Sequence, residues 1–344
     1  MPANIRETKI GIGYKKQTDL GTANVANDLW LLTKTNAELA NVAFNTEPDN
    51  DIGIGTDFVT TQYKNGKDTS FSIDKPATSQ WLAWAWAMVL GKTTSTVNGG
   101  LTTYTSVPLV PETDGMEPPS FTYIEAIRPG AGSELFNRAL VGCVVNDISL
   151  TIEKGATRSA SRLVANVVGT GKTIDANTIA LPASALAETR LPSASAAITI
   201  NGTNYVTGGA IESVTVTYSN NMRGDDKVYP GSGLQDGFAI GGRMEIGDRR
   251  TAGLSFVARC GAGTPELGKL KNLTEGTAAI AISGDSSHIS TATFHRVVFS
   301  TVEIGNANGI VTVQVNVQPM WHSTNGLLTV VTTTNQAGIG TASA

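Results

Sequence analysis

Charged residues are scarce in this sequence: 16% of its 344 residues are Asp, Glu, Lys or Arg, and no segment gathers a cluster of basic side chains. The formal net charge is -4 at pH 7. Proteins that bind nucleic acid non-specifically neutralise phosphates with clustered Lys and Arg, so this composition disfavours that class.

Long apolar runs are also absent. No stretch approaches the roughly 20 apolar residues that a membrane helix needs, so we expect no membrane association. Arg6, Glu7 and Lys9 leave no uninterrupted apolar core for a secretory signal near the amino end. We therefore expect the protein to be made in a cytoplasm.

Residues that often carry chemistry are few. Cys143 and Cys260 are the two cysteines, and each lies in an apolar, strand-like run, which favours buried thiols over a disulfide. None of the three histidines, His288, His295 and His322, has a cysteine or carboxylate at metal-ligand spacing. The sequence predicts no metal site and no cofactor.

Glycine and threonine, by contrast, are abundant, with 37 glycines, and hydrophobic residues make up 40% of the chain. A chain of this length and composition can bury a core and is long enough for about two domains. Abundant Thr and Gly with few helix-favouring charged residues are typical of a mainly β protein.

The first half begins with a strand at 29–34, followed by a polar segment at 37–57 that is rich in Pro, Asp and Gly. A hairpin is predicted next, with strands 58–63 and 69–73 joined by a turn at Asn65-Gly66. Pro76 and Gly91 then bound an apolar segment, and this punctuation predicts a helix.

The second half repeats this order. A strand at 211–218 alternates Val and Thr, a polar segment follows at 221–242, and a hairpin is predicted over 244–257. A short helix begins at Pro265 after the N-cap residue Thr264. Three landmark pairs are separated by nearly the same number of residues: Asn36 and Asn220, Pro76 and Pro265, and Gly91 and Gly276.

Each half closes with two long strands, at 141–153 and 159–168 and at 294–304 and 310–319. We therefore predict a duplicated β-sandwich or barrel-forming domain, each copy with one flanking helix. The first copy spans 1–170 with an insertion at about 92–119, a linker spans 171–209, the second copy spans 210–322, and 323–344 forms an extended carboxyl-terminal arm.

Several motifs suggest catalysis or ligand binding but have simpler explanations. Residues 166–173 end like a phosphate-binding loop, but Asn166 replaces the first glycine and no helix is predicted to follow. The cluster Asp285 to His288 fits a polar turn better than a catalytic triad. Trp81, Trp84 and Trp86 suit a buried helix better than a sugar-binding platform. We predict no catalytic residues and no enzyme activity.

The order of elements, with a long loop between the first strand and the hairpin, resembles the tail tube proteins of long-tailed bacteriophages of the siphophage type. The segment Gly11 to Ala23 is similar to the G-x-x-x-x-x-G-T-A opening of many such proteins, and the strand 211–218 leads into Asn220-Asn221 in the same style. The resemblance implies a structural virion protein whose sheets join into a continuous barrel within stacked rings. Viral DNA would pass through the hollow tail without specific binding.

The resemblance also implies the assembly. Six domains form a ring in this family, so a duplicated chain implies homotrimeric rings with pseudo-sixfold symmetry, with a homohexamer as the alternative. Rings would stack axially, other tail proteins would bind the tube ends, and the protein would reside in the virion tail after assembly in the bacterial host cytoplasm. A carbohydrate-binding or adhesive β-sandwich of a virion or cell surface is the alternative function.

A lumen that lets DNA slide should be polar and uncharged or mildly negative. Two strand faces fit and are candidate lumen-facing sets, although either could be the solvated face of an ordinary sandwich: Asp147, Ser149, Thr151, Glu153, and Thr312, Gln314, Asn316, Gln318. The two polar segments would reach the neighbouring ring, with these candidate contact residues: Asp49, Asp51, Arg223, Asp225, Asp226, Lys227.

Overall fold

A computed structural model of the chain describes residues 7–32, 36–37, 40–49, 61–114, 117–128, 136–153, 161–175, 181–182, 185–205, 211–222, 250–259, 265–307 and 309–342. Strands dominate these residues, which confirms the mainly β prediction. The helices are α1 (Ser79–Leu90), α2 (Pro111–Asp114) and α3 (Pro265–Lys271). The described part of the chain contains no helix of the length and apolarity needed to span a membrane.

The strands of the first half are β1 (Glu7–Gly13), β2 (Leu29–Leu31), β3 (Asn36–Ala37), β4 (Asn41–Asp49), β5 (Thr61–Pro76), β6 (Gly91–Asn98), β7 (Leu101–Pro108), β8 (Ser120–Arg128), β9 (Phe136–Glu153) and β10 (Arg162–Asp175). The strands of the second half are β11 (Ala196–Ile200), β12 (Thr203–Asn204), β13 (Ile211–Ser219), β14 (Thr251–Arg259), β15 (Gly276–Ser283), β16 (Ile289–Ala307), β17 (Ile310–Pro319) and β18 (Leu328–Thr334).

Eight strands form an antiparallel sheet, here named the long sheet, in the order β4, β5, β10, β9, β13, β14, β17, β16. Alternate residues along each strand point to the same side of the sheet. On one side these residues are apolar and buried. Leu150, Val216, Phe256 and Val315 represent this face, and each is almost fully buried in the main core.

The two longest strands each leave the long sheet and enter a second layer. The first part of β9 pairs with β8, which pairs with β1 and so with β2. The first part of β16 pairs in the same way with β15, which pairs with β11 and so with β12. The second layer is thus connected to the long sheet through β9 and β16, which take part in both.

The same pairings therefore occur in both halves and in the same chain order, and their irregularities coincide. The β8–β9 register shifts between Phe121 and Tyr123, and the β15–β16 register shifts between Gly276 and Ala278. A second shift falls between Val145 and Asp147 on β9 and between Phe299 and Thr301 on β16. β-Bulges bend a strand at a defined position, so these shifts place the two bends at matching points.

Helix α1 is the buried helix that the sequence predicts. The Thr78 hydroxyl caps its start by accepting a hydrogen bond from the Trp81 amide at 3.2 Å, and Gly91 ends it with a φ of 88°. All of its side chains are buried, and it packs against β6, β7, β9, β16 and β18. The helix begins at Ser79 and not at the predicted Pro76, because Pro76 is the last residue of β5.

Two local predictions in the first half are wrong. Asn65-Gly66 forms no hairpin turn, because β5 continues through it: Asn45 lies opposite Gly66 and Thr46 opposite Lys64, so Asn65 is the extra residue of a bulge. The polar segment at 37–57 also contains β4, whose pairing with β5 satisfies the backbone despite Pro48. Of the second hairpin, residues 244–249 lie outside the described residues.

The carboxyl-terminal segment is packed, so the prediction of an extended arm is wrong. β18 pairs with β16 on one side and with β7 of the insertion on the other, and its Leu328 and Val330 are buried. The insertion itself is a hairpin that turns at Gly99-Gly100, both with positive φ. Beyond β18 the chain passes over α1 and reaches the first strand region, where the Gly340 amide donates to the Tyr14 carbonyl at 2.9 Å.

The predicted linker also packs against both halves. Its β11 places Ile198 and Ile200 in the core, and Glu188 forms an ion pair with the buried Lys75. Burial lowers the pKa of Lys75, and Glu188 opposes that shift. Cys143 is a free, buried thiol, and burial raises its pKa, which keeps it protonated and unreactive. Cys260 lies outside the described residues.

Candidate functional site

The candidate site is the second face of the long sheet, here named the polar face. The two predicted sets of residues come from β9 and β17, which are separated in the sheet by β13 and β14. The structure places both sets on this one face. A row of directly opposed small polar residues joins them across five strands: Thr151, Thr215, Ser255, Asn316, Thr301.

Two further rows run parallel to the first. Toward the closed end of the β16–β17 hairpin the opposed residues are Glu153, Ser213, Val257, Gln314 and Glu303. Toward the other end they are Thr251, Ser219, Asp147, Asn166 and Ser72. The polar face is therefore continuous from β5 to β16 and crosses the boundary between the two halves without a break in register.

The prediction for β17 fails at its first residues. Thr312 is buried, with 6% of its surface exposed, whereas Val311 is 49% exposed. Thr312 lies opposite Arg259, the last β14 residue paired with β17. Among the described residues, Val311 is paired with β16 alone. From Val313 to Val317 the predicted alternation of buried valines and exposed polar residues holds.

Charges on the polar face are arranged in pairs. Arg162 contacts Asp74 through both Nε and Nη2, at 3.1 and 2.6 Å, and Arg259 contacts Glu212 at 2.6 Å. The Asp147 carboxylate accepts a hydrogen bond of 2.6 Å from the side-chain nitrogen Nδ2 of Asn166. Each of these arginines already contacts a carboxylate, so the described strands offer a phosphate only weak attraction.

The described strands of the polar face carry more carboxylates than guanidinium groups, since Asp147, Glu153 and Glu303 add to the two ion pairs. The remaining side chains are mainly Thr, Ser, Asn and Gln. The surface is thus hydrated, mildly negative and poor in apolar groups. Chemically it can border a water-filled space beside a polyanion without holding that polyanion in place.

Sequence reasoning missed the members of the polar face that lie on β13, β14 and β10. The alternation of Thr215 and Thr217 with buried valines was visible, and it assigns these threonines to one face of their strand. The sequence does not show which strand lies next to β13 in the sheet, because the pairing of β13 with β9 joins residues that are far apart in sequence. The β13–β9 register depends on the packing of both strands in the core, which a local sequence pattern does not predict.

The predicted axial loops are barely represented in the structure. Asp49 is the last residue of β4 and lies opposite Thr61. Asp51, Arg223, Asp225, Asp226 and Lys227 lie outside the described residues. Their proposed role in contacts between rings remains a prediction from the sequence.

The other motifs are structural. Residues 166–173 lie inside strand β10, which continues to Asp175. Asp285 organises a turn by accepting hydrogen bonds from the amides of Ser287 and His288, both at 2.7 Å, and these bonds lower its pKa. Among the described residues, no three His, Cys, Asp or Glu side chains are grouped as metal ligands.

The Gly11 to Ala23 segment also has a structural role. The Asp19 carboxylate accepts hydrogen bonds from the Gly21 amide and the Thr22 hydroxyl, each at 2.7 Å. The buried Gln17 amide nitrogen donates to Thr122 at 2.7 Å, and its oxygen accepts from the Gly142 amide at 3.1 Å. The motif therefore fixes a turn against β8 and β9 near their bulge.

One open cavity of about 570 Å³ lies at the end of the β16–β17 hairpin opposite its turn. Its lining includes Trp321, which is 56% exposed, and the ion pair between Arg296 and Glu275. His295 also lines it, and burial followed by the nearby His322 lowers the pKa of His295. An exposed indole beside fixed polar groups is a geometry that can contact a sugar ring.

Comparison with known proteins gives one finding that covers nearly the whole chain. A family model described as phage tail tube protein matches residues 8–319. The matched region includes all eight strands of the long sheet and the polar face. No curated protein matches the chain.

Proposed function

Because the chain belongs to the phage tail tube protein family, we propose that it assembles into stacked rings forming the hollow tail tube through which phage DNA passes into the host. Family membership makes it a structural protein of the virion tail that assembles with itself and other tail proteins. The observation that supports the conduit is the continuous polar face, which spans both halves and has the composition expected of the wall of a water-filled channel.

The chemistry of the polar face suits passage better than binding. Duplex DNA carries one negative charge per about 1.7 Å of its axis, so unpaired cations along a wall would hold it at every step. On the polar face Arg162 and Arg259 are paired, and the additional carboxylates repel the phosphates weakly. A hydrated Thr, Ser, Asn and Gln lining then keeps friction low.

Two tail-tube units in one chain explain the repeated pairings. The strands β4, β5, β10 and β9 form one four-stranded set, and β13, β14, β17 and β16 form the matching set. Six such units would complete a ring, so three chains would form a pseudo-sixfold ring, with six chains as the alternative. The pairing of β11 with β15 favours a second unit that starts near residue 196 rather than at 210.

Electron microscopy of the purified protein at rising concentration tests this function. We expect hollow rings or tubes in end-on averages, with a mass per ring that corresponds to three chains. A Thr217→Cys variant carrying a small gold label should place its label density inside the ring, because Thr217 is exposed on the polar face. A matched label at Thr96→Cys, on the exposed β6, should not lie at the centre.

Two results would count against the proposal. A mass of six chains per ring would favour the hexamer. Compact monomers or closed oligomers at every concentration, even with partner tail proteins, would favour the second candidate function, carbohydrate binding, for which the exposed Trp321 and its cavity provide the supporting observation.

The axial role of the second polar segment is tested by charge reversal. Replacing Asp225 and Asp226 with Lys should impair stacking of rings while the protomer stays folded, because opposed charges set the register between rings. Tube length measured by electron microscopy reports the stacking, and circular dichroism reports the fold. Tubes of normal length from this variant would exclude an axial role for these two residues.

A further inference from the structure

In the ring of the proposed function the sheets of neighbouring copies join into one barrel, and we infer which strands meet there: the contact repeats between copies the strand pairing that joins the two halves within one chain. The carboxyl-terminal part of β16 in one copy would pair antiparallel with β3 of the next copy. The structure assigns the register as well: Ala307 opposite Asn36 of the next chain and Asn306 opposite its Ala37.

The pairing inside the chain, here named the internal seam, is formed by β9 and β13. Seven residue pairs run antiparallel from Ser213 opposite Glu153 to Ser219 opposite Asp147. Its polar residues face the polar face, and its Val214 and Val216 lie beside Ile152 and Leu150 in the core. Both the backbone and the two faces of the sheet are therefore continuous across it.

Strand β16 has the features that β9 uses in the internal seam. The second bulge places Asp147 on β9 and Thr301 on β16 at matching positions, so Glu153 matches Ala307 six residues further on in each strand. β9 pairs with β10 on one edge and with β13 on the other. Within the described residues, Thr301 to Ala307 pair with β17 on one edge, and no strand occupies the other.

Strand β3 has the position that β13 occupies in the internal seam. Ser72 on β5 lies opposite Asn166, and Ser255 on β14 lies opposite Asn316, so these two serines match. Two residues further on are Asp74 and Val257, which lie opposite Asn36 and Ser213, respectively. Asn36 therefore matches Ser213, and Ala37 matches Val214. The pairing of Asn36 with Asn220 that the sequence suggests is thus not the structural match.

Combining the two matches fixes the register. Ser213 lies opposite Glu153 in the internal seam, so Asn36 of one copy should lie opposite Ala307 of its neighbour. An uncovered strand edge presents free amide and carbonyl groups that pair readily with another strand. Because the two edges differ, the contact is heterologous and repeats around a ring instead of ending in a twofold dimer.

The side chains on β16 agree with a covered edge. Ile304 is 58% exposed in the single chain although it points away from the polar face. A neighbouring strand would remove part of this apolar side chain from water, as β13 does for the core side of β9. Contact with a second copy would therefore explain why this exposed position carries an apolar side chain.

A cysteine pair tests the register. The variant Asn36→Cys with Ala307→Cys should form disulfides between chains on mild oxidation of assembled tubes, because directly opposed residues bring Cβ atoms within about 5.5 Å. Non-reducing gels should show covalent trimers with few larger species. The control pairs Asn36→Cys with Glu303→Cys, which displaces one cysteine by about 13 Å along the strand and should give at least ten times less product.

The outcomes separate this inference from the proposed function. Tubes without the disulfide, or with equal product from the control pair, would overturn the seam register and leave the tail tube function intact. A disulfide within single chains would also overturn it. Wild-type protein that forms no rings would overturn the proposed function itself.

A second measurement needs no variant. Hydrogen exchange of the wild-type protein should show that amides of 36–37 and 301–307 become protected on assembly, whereas those of the internal seam are protected in the single chain as well. Unchanged exchange at 301–307 in tubes would contradict the inference even if the cysteine variants failed to fold.

Discussion

Replacing Glu125 with alanine is expected to lower the free energy of unfolding by about 3–5 kcal/mol, because it breaks a buried ion pair and leaves its partners uncompensated. Glu125 is fully buried and accepts hydrogen bonds from Arg138 Nε and Nη2 at 3.0 and 2.6 Å. It also accepts from the amide of Ala40, whose carbonyl in turn accepts from Arg138. Urea unfolding followed by tryptophan fluorescence measures the loss.

An exposed ion pair between an arginine and a glutamate provides the control. Arg296 contacts Glu275 through Nε and Nη2, also at 3.0 and 2.6 Å, but both side chains are about half exposed. Glu275→Ala should therefore destabilise the protein far less than Glu125→Ala, because solvent screens an exposed ion pair. Equal losses in the two variants would show that burial is not what makes the Glu125 pair important.

The Glu125 variant should also assemble poorly. Ala40 directly precedes β4, and the Glu125–Arg138 pair holds it from both its amide and its carbonyl. Loosening this residue frees the strand edge that the next copy is proposed to bind. We expect fewer rings at a given protein concentration than for Glu275→Ala, even under conditions in which both variants remain folded.

Replacing Trp84 with alanine is expected to cost about 3–5 kcal/mol, because it opens a cavity at the centre of the core. Trp84 is fully buried, stacks on Trp81 with a centroid distance of 4.8 Å, and meets Phe121 edge-on at 5.0 Å. Its indole nitrogen donates to the Gly13 carbonyl at 2.9 Å. Thermal unfolding should therefore occur at a clearly lower temperature.

Trp321→Ala is the matched control, since this tryptophan is 56% exposed and its truncation should change the free energy of unfolding by less than about 0.5 kcal/mol. The comparison also tests the sequence argument that the tryptophans of α1 belong to the core rather than to a sugar-binding surface. A Trp84 variant as stable as the Trp321 variant would contradict that assignment.

Local patterns predicted the elements in which burial alternates without interruption. β17 spans the predicted residues 310–319, and β13 extends the predicted strand by a single residue, because each has one face in the core and one on the polar face. The end of α1 was also predictable, since Gly91 adopts a positive φ that only glycine adopts at low cost.

Predictions failed where a distant segment decides the local structure. Asn65-Gly66 has the composition of a turn, but β4 pairs with β5 on both sides of this site and keeps the strand continuous. Residues 328–334 look like an unpacked arm because they are small and uncharged, yet β7 and β16 make them a strand between two neighbours.

The polar face was predicted in parts and not as a whole. The alternation on β9 and β17 identified polar residues correctly, except near the hairpin turn at Thr312. Neither strand reveals that β13 and β14 lie between them, because antiparallel pairing leaves no mark in the sequence of either partner. The site therefore required the sheet order, which depends on the packing of the whole chain.

The return of the chain over α1 has a consequence for biosynthesis. The tryptophan-rich helix is complete at Leu90, but its cover includes β18 and Ile339, which the ribosome adds roughly 240 residues later. At about 5–20 residues per second, the helix would wait on the order of 10–50 s for that cover. During translation the apolar surface of this helix therefore lacks part of its cover until synthesis nears completion, a condition in which chaperones bind nascent chains.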